Sequence, residues 1–369
     1  MASPFFSEGD KKIIHDEVED ILSNQLSMSK NVKKFEESFS HRLDVGHAIA
    51  LNACTSALEA AVSYAATRGK EVIIPAQTFI ATGMAVHLSG LKPVFAEISP
   101  ETMCLDYHDT IQRVNDNTAA IIVVHMTGIV TPEINKFRIF CDERNILLIE
   151  DAAHTPGAKF KNQEAGTIGH IGCFSFFPSK ILTSGEGGML TTNDDKIASF
   201  ARSFQNRGRD MTSSTEIYSI PGRNVRMPEI SALLGWIQLS HLNDYLHKRR
   251  EIASSYISHF EKVAGLELIK LESIEQSSFW KFPIILDSNL NRNQILNNLH
   301  NFGVYADTAY NPPLHLQPVF QSLYGTDTGL LPVTEDILQR HICLPCHPKM
   351  TKEECSFVIS SLKEAIKDV

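Results

Sequence analysis

A few side chains, strung in a fixed order along the chain, have the types and spacing for chemistry. Asp151 closes the apolar run ILLIED and is followed by Ala152, Ala153 and His154. In an open parallel sheet the carboxyl ends of the strands face the ligand crevice. A carboxylate there can pair with a protonated pyridine nitrogen and keep the ring cationic, ready to take up a carbanion's electrons. A solvated loop aspartate or a helix cap fits the same residue equally well. Lys180 lies in FSFFPSKILTSGEGG, a few residues beyond another apolar strand and among small residues. An amine desolvated at such a place has a lowered pKa and becomes a Schiff-base nucleophile, although a lone lysine is ordinarily a surface residue. In NACTSALEA, Thr55 and Ser56 open a helix directly after a short strand. The free N–H groups and dipole of such a turn bind phosphate; the plain alternative is a Ser56–Glu59 capping box. Ser175, on the strand before Lys180, adds a hydroxyl. Phe79, in PAQTFIA, opens another helix and can stack on a flat ring, where an aromatic is more often core packing.

Their order says more than any one of them. Asp151 and Lys180 end neighbouring strand units separated by a Gly-rich bridge at 157–172, so both side chains can reach one crevice. Phosphate turn, aromatic, carboxylate and lysine, each at a strand end of one α/β unit, are what a pyridoxal 5'-phosphate (PLP) site needs.

The elements that must position these residues alternate along the chain. Residues 9–42 read as two helices split near Ser27–Ser29. Strands follow at 47–51, 71–75, 92–98, 119–125, 145–151, 173–177 and 188–192, with helices at 56–67, 78–88, 132–144 and 194–206. The run AAIIVVH (119–125) is continuously apolar and β-branched, as expected of a strand covered on both faces. Strand and helix alternating at this spacing predict a parallel sheet built from right-handed crossovers. Residues 207–224 read as irregular, with helices after them at about 228–239 and 242–264. FWKFPIIL (279–286) opens a second unit with a helix at 291–302, an irregular 306–329 and a last helix from 351. Thr351 and Glu354 give that last helix a capping box, and Val358, Ile359, Leu362 and Ile366 give it an apolar face. The expected division is a large domain over 1–245 and a small α/β domain over 246–369, with the boundary near 240–265.

The runs EDAAHTPGAKF and GTIGHIGCFSFFPSKILTSGEGGMLTTND resemble the signature of the DegT/DnrJ/EryC1/StrS family of PLP-dependent sugar aminotransferases. The likeness continues through NACTSALEAAV, EVIIPAQTFIATGMAVHLSGLKPVFAEI, GRNVRMPEISALLGWIQL, PLHLQPVF and LPCHPKMT, nearly the whole chain and in family order. It implies the PLP-dependent transferase fold of the aspartate aminotransferase type, and a homodimer with active sites shared at the subunit interface. Lys180 then falls on the Schiff-base lysine and Asp151 on the pyridinium partner. Thr55, Ser56 and Ser175 fall on phosphate positions, and Phe79 on the aromatic that covers one ring face. His154 falls beside the cofactor's ring hydroxyl, and Asn224 on the residue that reaches the phosphate from the other subunit. His315, in PLHLQ, falls near the sugar nucleotide. Arg223 stands where the family commonly has an aromatic, which bears on the subunit contact. Members that carry His in place of the lysine act as sugar dehydratases, and Lys180 speaks against that reading here. The implied reaction is a ping-pong transamination through pyridoxamine phosphate, from L-glutamate to a keto sugar carried on a nucleotide. The SGEGG and DAAH variants point to a 4-keto-6-deoxy sugar over a 3-keto one, and a cyclitol ketone is a further alternative.

Composition narrows the classes. The chain has 369 residues and a net charge of -9, with 43 acidic against 34 basic residues, which argues against nucleic acid or an anionic membrane as main partner. No apolar run is long enough to span a bilayer, and SPFFSEGDKK is not a signal-peptide pattern, so a cytoplasmic location is expected. Seven scattered cysteines do not form a disulfide framework. Cys343 and Cys346 make a lone CxxC, short of the second pair a zinc site requires and outside any thioredoxin-like context.

Overall fold

The computed structural model describes residues 4–367; residues 1–3 and 368–369, which the expected domains and the N-terminal reading include in part, lie outside the described residues. Two helices, α1 (Glu8–Ser23) and α2 (Lys30–Leu43), precede β1 (His47–Leu51) and α3 (Cys54–Ala65). Next come β2 (Glu71–Pro75), α4 (Ile80–Leu88), β3 (Lys92–Ala96), α5 (Tyr107–Arg113), β4 (Thr118–Val124), α6 (Ile134–Arg144) and β5 (Leu147–Asp151). A short hairpin, β6 (Lys159–Phe160) with β7 (Gln163–Glu164), leads to β8 (Ile171–Ser175), β9 (Gly188–Thr192), α7 (Asp195–Gln205), α8 (Glu229–Ser240) and α9 (Leu242–Phe260). The remainder holds β10 (Leu266–Leu268), β11 (Phe282–Leu286), α10 (Arg292–Asn301), α11 (Pro318–Tyr324), α12 (Pro332–Arg340), β12 (His341–Leu344) and α13 (Lys352–Lys367).

Seven strands form the central sheet in the order β1-β9-β8-β5-β4-β2-β3. Five of them, β3, β2, β4, β5 and β8, run parallel, and β9 is antiparallel to both of its neighbours. All seven residues of β4 are buried, because helices cover both faces of the apolar run and its one polar side chain, Thr118, accepts from the Asn115 N–H at 3.0 Å. Register carries the consequence for function. Val124 pairs with Asp151 and Asp151 with Cys173, so the carboxyl ends of β4, β5 and β8 open on one rim.

A second sheet, β10-β11-β12, is antiparallel. The two cores meet inside α9. Leu242, Tyr245 and Leu246 pack with Phe35, Phe39 and Phe174, while Ile252, Tyr256 and Phe260 pack with Phe282, Ile284 and Leu362. The capping box at α13 is present in both directions, Glu354 N–H to Thr351 Oγ1 at 3.1 Å and Thr351 N–H to Glu354 Oε2 at 2.9 Å.

Several elements escape the sequence reading. The segment 306–329 is not wholly irregular: α11 starts there at Pro318, whose missing N–H costs nothing at a first helical position, and α12 starts in the same way at Pro332. Leu314 and Phe320 pack into the large core with residues of α3 and α4, in a cluster that Ile285 of β11 and Cys343 of β12 also join. Four-residue β12 gives too short a pattern to read, yet it places Cys343 in the ladder opposite Pro283. Burial pushes both the Cys343 and Cys346 thiols up to about 12, and the two lie in different apolar clusters. No helix among the described residues is long and apolar enough to cross a membrane.

Candidate active site

The rim carries a cleft of about 550 Å³. Its first wall is the start of α3. Ala53, at the N-cap, offers no side-chain acceptor, and the first N–H groups of a helix have no partner within it. The N–H groups of Cys54, Thr55 and Ser56 thus stand as uncommitted donors beside the cleft, and the helix dipole favours an anion in front of them. Room for this arrangement depends on Gly188 of β9, where a Cβ would lie 2.4 Å from the carbonyl carbon of Ala53. Thr55 lines the cleft. The Ser56 side chain does not: it turns back to donate to Asn52 Oδ1 at 2.7 Å, so this residue has only its backbone N–H to offer. The alternative capping box is absent, since Ser56 is the third helical residue and Glu59 lies 3.4 Å from Arg223.

Ser175, the last residue of β8, and Phe79, at the start of α4, also line the cleft. Phe79 is 54% exposed, which rules out core packing for its ring; its centroid lies 5.8 Å from that of Tyr310.

Asp151 and Lys180 face this one space. Asp151 is buried. It accepts from Thr82 Oγ1 at 2.9 Å on one oxygen and from the Ala153 N–H at 3.2 Å on the other, and Thr82 is held in turn by Thr78 at 2.8 Å. Burial raises the Asp151 pKa above the usual carboxylate value, and the hydrogen bonds and the nearby Lys180 offset only part of that rise. For Lys180, burial lowers the pKa to about 8 against the opposing pull of Asp151. Each charge of the pair therefore occupies a site that disfavours it and depends on the other.

His154 is buried and stacks on Trp280, ring centres 3.9 Å apart and 8° from parallel. Its Nε2 meets Tyr310 Oη at 2.8 Å. Desolvation holds its pKa well below the usual histidine value, so the imidazole is neutral near pH 7. Trp280 donates through Nε1 to the carbonyl of Ser179 at 2.7 Å, which fixes the turn that carries Lys180, and the Lys180 amine lies 4.5 Å from the indole centre.

Two expected site residues stand elsewhere. Asn224 is exposed on the irregular segment, bridged to Asn206, and does not line the cleft of its own chain. His315 does not line the cleft either. The PLHLQ segment folds as a tight turn that buries the ring completely, with Nε2 on Glu335 Oε1 at 3.0 Å and Phe95 beside it. A position beside the sugar nucleotide thus does not follow for this side chain. Conversely, Thr82, Trp280, Lys281, Asp307 and Tyr310 line the cleft and were missed in the sequence. Trp280–Lys281 carried a signal, since the chain has just two tryptophans, but nothing local says that FWKF passes in front of Lys180.

Uncommitted N–H donors for a phosphate, a buried carboxylate for a ring N–H and an amine of lowered pKa fit PLP in kind. With the parallel sheet behind them, they define a PLP-dependent transferase of the aspartate aminotransferase fold type. Comparison with known proteins narrows the class. Residues 8–363 match the model of the DegT/DnrJ/EryC1/StrS aminotransferase family, and the chain belongs to that family; it is a PLP-dependent aminotransferase. GDP-perosamine synthase of Caulobacter vibrioides is 31% identical to it over 92% of this chain and 91% of that protein. Among solved structures, the aminotransferase PseC of Helicobacter pylori, involved in the biosynthesis of pseudoaminic acid, superposes with a TM-score of 0.92 at 26% identity, covering 100% of this chain and 99% of that one. NtdA of Bacillus subtilis, with bound cofactor PMP, gives 0.89 at 26% identity, covering 98% of this chain and 83% of that one.

Proposed function

We propose that the protein aminates the ketone of a nucleotide-linked sugar, a 4-keto-6-deoxy sugar in the first instance, with L-glutamate as amino donor. The observation that carries the reading is the pairing of the Lys180 amine and the Asp151 carboxylate across one cleft. Bound PLP supplies an aromatic ring that accepts the electrons left when a proton leaves the carbon bearing the nitrogen. The chain's own residues do the rest. Lys180 is the attachment point, and its amine, when free, moves the proton from the donor's α-carbon; a pKa near 8 suits both taking and giving it near neutral pH. Asp151, held by Thr82, keeps a proton on the ring nitrogen. The N–H groups at the start of α3, with Thr55 and Ser175, hold the phosphate, and Phe79 covers a ring face. His154, kept neutral between Trp280 and Tyr310, borders the ring.

Asn224 reaches the cofactor phosphate of a second copy in this reading. Support comes from its exposure and from the exposed apolar residues Met211, Ile217 and Tyr218 on the same segment and Phe177 at the cleft. Lysine at position 180 favours amino transfer over dehydration. The 4-keto sugar is favoured over a 3-keto sugar or a cyclitol by the likeness, at 29% identity over 93% of this chain, to the dTDP-4-dehydro-2,3,6-trideoxy-D-glucose 4-aminotransferase of Saccharopolyspora spinosa.

The test is a panel of nucleotide keto sugars and a cyclitol ketone with glutamate, products identified by mass spectrometry and NMR. An aminated 4-keto sugar with one equivalent of 2-oxoglutarate is expected. An unaminated dehydration product, or amination of the cyclitol alone, would refute the assignment. Borohydride should fix the cofactor to Lys180, and Lys180→Ala should abolish both trapping and turnover.

A further inference from the structure

We propose that Lys281, held in reserve by Asp307, is the cation that receives a carboxylate of the amino donor; this deepens the glutamate reading above and rests on it. Every ligand in that reading is an anion: a cofactor phosphate, a dicarboxylate donor and a nucleoside diphosphate. The charged residues lining the cleft are nevertheless Asp151, Glu186 and Asp307 against Lys180 and Lys281. Lys180 would be taken up by the cofactor, and the N–H groups of α3 would serve the cofactor phosphate. Lys281 is then the one side-chain cation left among the described residues of the cleft wall.

Its place fits a carboxylate near the point of nitrogen transfer. The amines of Lys180 and Lys281 lie 4.5 and 5.1 Å from the centre of the same Trp280 ring. In an amino acid the α-carboxylate is two bonds from the nitrogen, so it always stays beside the transferring amine. The diphosphate of a nucleotide sugar is separated from a 4-ketone by the sugar ring.

The partner that now occupies Lys281 is one that can leave. Lys281 Nζ and Asp307 Oδ2 are 2.6 Å apart, with the lysine side chain 22% and the aspartate 59% exposed. Water screens such a pair and leaves it little net strength. A donor carboxylate inside the cleft makes a better shielded charge-assisted bond with the same amine. Both backbones are pinned, Asp307 to Cys343 in both directions and Lys281 N–H to the Thr127 carbonyl, so the exchange asks only for a side-chain rotation of Asp307.

The probes are glutarate, which has the two carboxylates and nothing to react, and UDP. Each is titrated by calorimetry into the PLP-loaded protein, whose visible absorbance reports a folded, loaded site. Lys281→Met should weaken glutarate by about tenfold or more, the scale of one hydrogen bond to a charged group, and leave UDP within about twofold. Lys281→Arg should restore most of the affinity. Asp307→Asn should tighten glutarate, because the competing carboxylate is gone. Unchanged glutarate binding in Lys281→Met overturns the proposal, provided the wild type binds glutarate. So does a loss that falls on UDP as heavily as on glutarate. If the wild type neither binds glutarate nor loses its visible band with glutamate, the donor reading fails and the Lys281 assignment falls with it. A wild type that responds to glutamate while the variants bind like it sinks the Lys281 assignment alone.

Discussion

The Lys180 amine offers a direct measurement on the protein without cofactor. Burial brings its pKa from 10.5 to about 8. At pH 8 half of the side chain is then neutral, against roughly 0.3% for a lysine at 10.5, a gain of about 150-fold in nucleophilic amine. Trace labelling with an acylating reagent across pH 6–11, read peptide by peptide in the mass spectrometer, gives the midpoint for Lys180, with exposed lysines of the same sample as standards. A midpoint near 8 is expected. In Asp151→Asn it should fall further, by on the order of one pH unit, because the carboxylate opposes the effect of burial. The linkage has a definite sign. Between about pH 8 and 10.5 the unfolded chain binds more protons at this lysine than the folded one, so its contribution to stability rises with pH through that window. Below 8 both states hold the proton and the penalty for burying the ammonium is fully present. A wild-type midpoint near 10.5, or an upward shift in Asp151→Asn, would refute the account of how this lysine is activated.

Other substitutions probe the supports. Thr82→Val removes a hydroxyl donor from Asp151 and should weaken cofactor affinity by about fivefold to tenfold, the worth of one such bond, measured by PLP titration of the apoprotein; unchanged affinity would show that Asp151 needs no such support. Gly188→Ala puts a methyl 2.4 Å from the Ala53 carbonyl carbon, so it should displace the start of α3 and abolish phosphate-dependent PLP retention after gel filtration. Six of the seven thiols are buried and Cys54, at the cleft, is half-buried; a bulky thiol reagent should modify Cys54 first in the apoprotein, and PLP should protect it. Early modification of Cys343 or Cys346 would contradict their burial.

Sequence alone reached the sheet and much of the site because both rest on local signals. Buried parallel strands are continuous apolar runs, and AAIIVVH and ILLIED show it. Asp151, Lys180, Thr55, Ser175 and Phe79 sit at the ends of such strands or on the turns after them, where the topology of an open parallel sheet converts chain position into a place at the rim. The direction of a side chain is not local in this sense. Ser56 has the same sequence credentials as Thr55, and only the reach to Asn52 removes its hydroxyl from the cleft. His315 sits in a motif that carries the family pattern, but Glu335, twenty residues further on, draws its ring inward.

The opposite wall was illegible for the same reason. Trp280, Lys281, Asp307 and Tyr310 reach the cleft because β11 and the segment after α10 are carried back across the rim by packing on α9 and by contacts with the large domain, such as Trp280 to Ser179 and Lys281 to Thr127, between residues more than a hundred positions apart. In the proposed reading, the wall illegible in the sequence is also the one that meets the substrate. Strand ends on the large sheet can anchor one cofactor in a single way, and their residues follow the family order. The facing residues come from a connection whose length and side chains are free to change without disturbing the sheet. Recognition of the donor and of the sugar is therefore to be sought in that connection, and exchanging Lys281 or Asp307 should alter what the enzyme accepts while leaving the visible band of its cofactor in place.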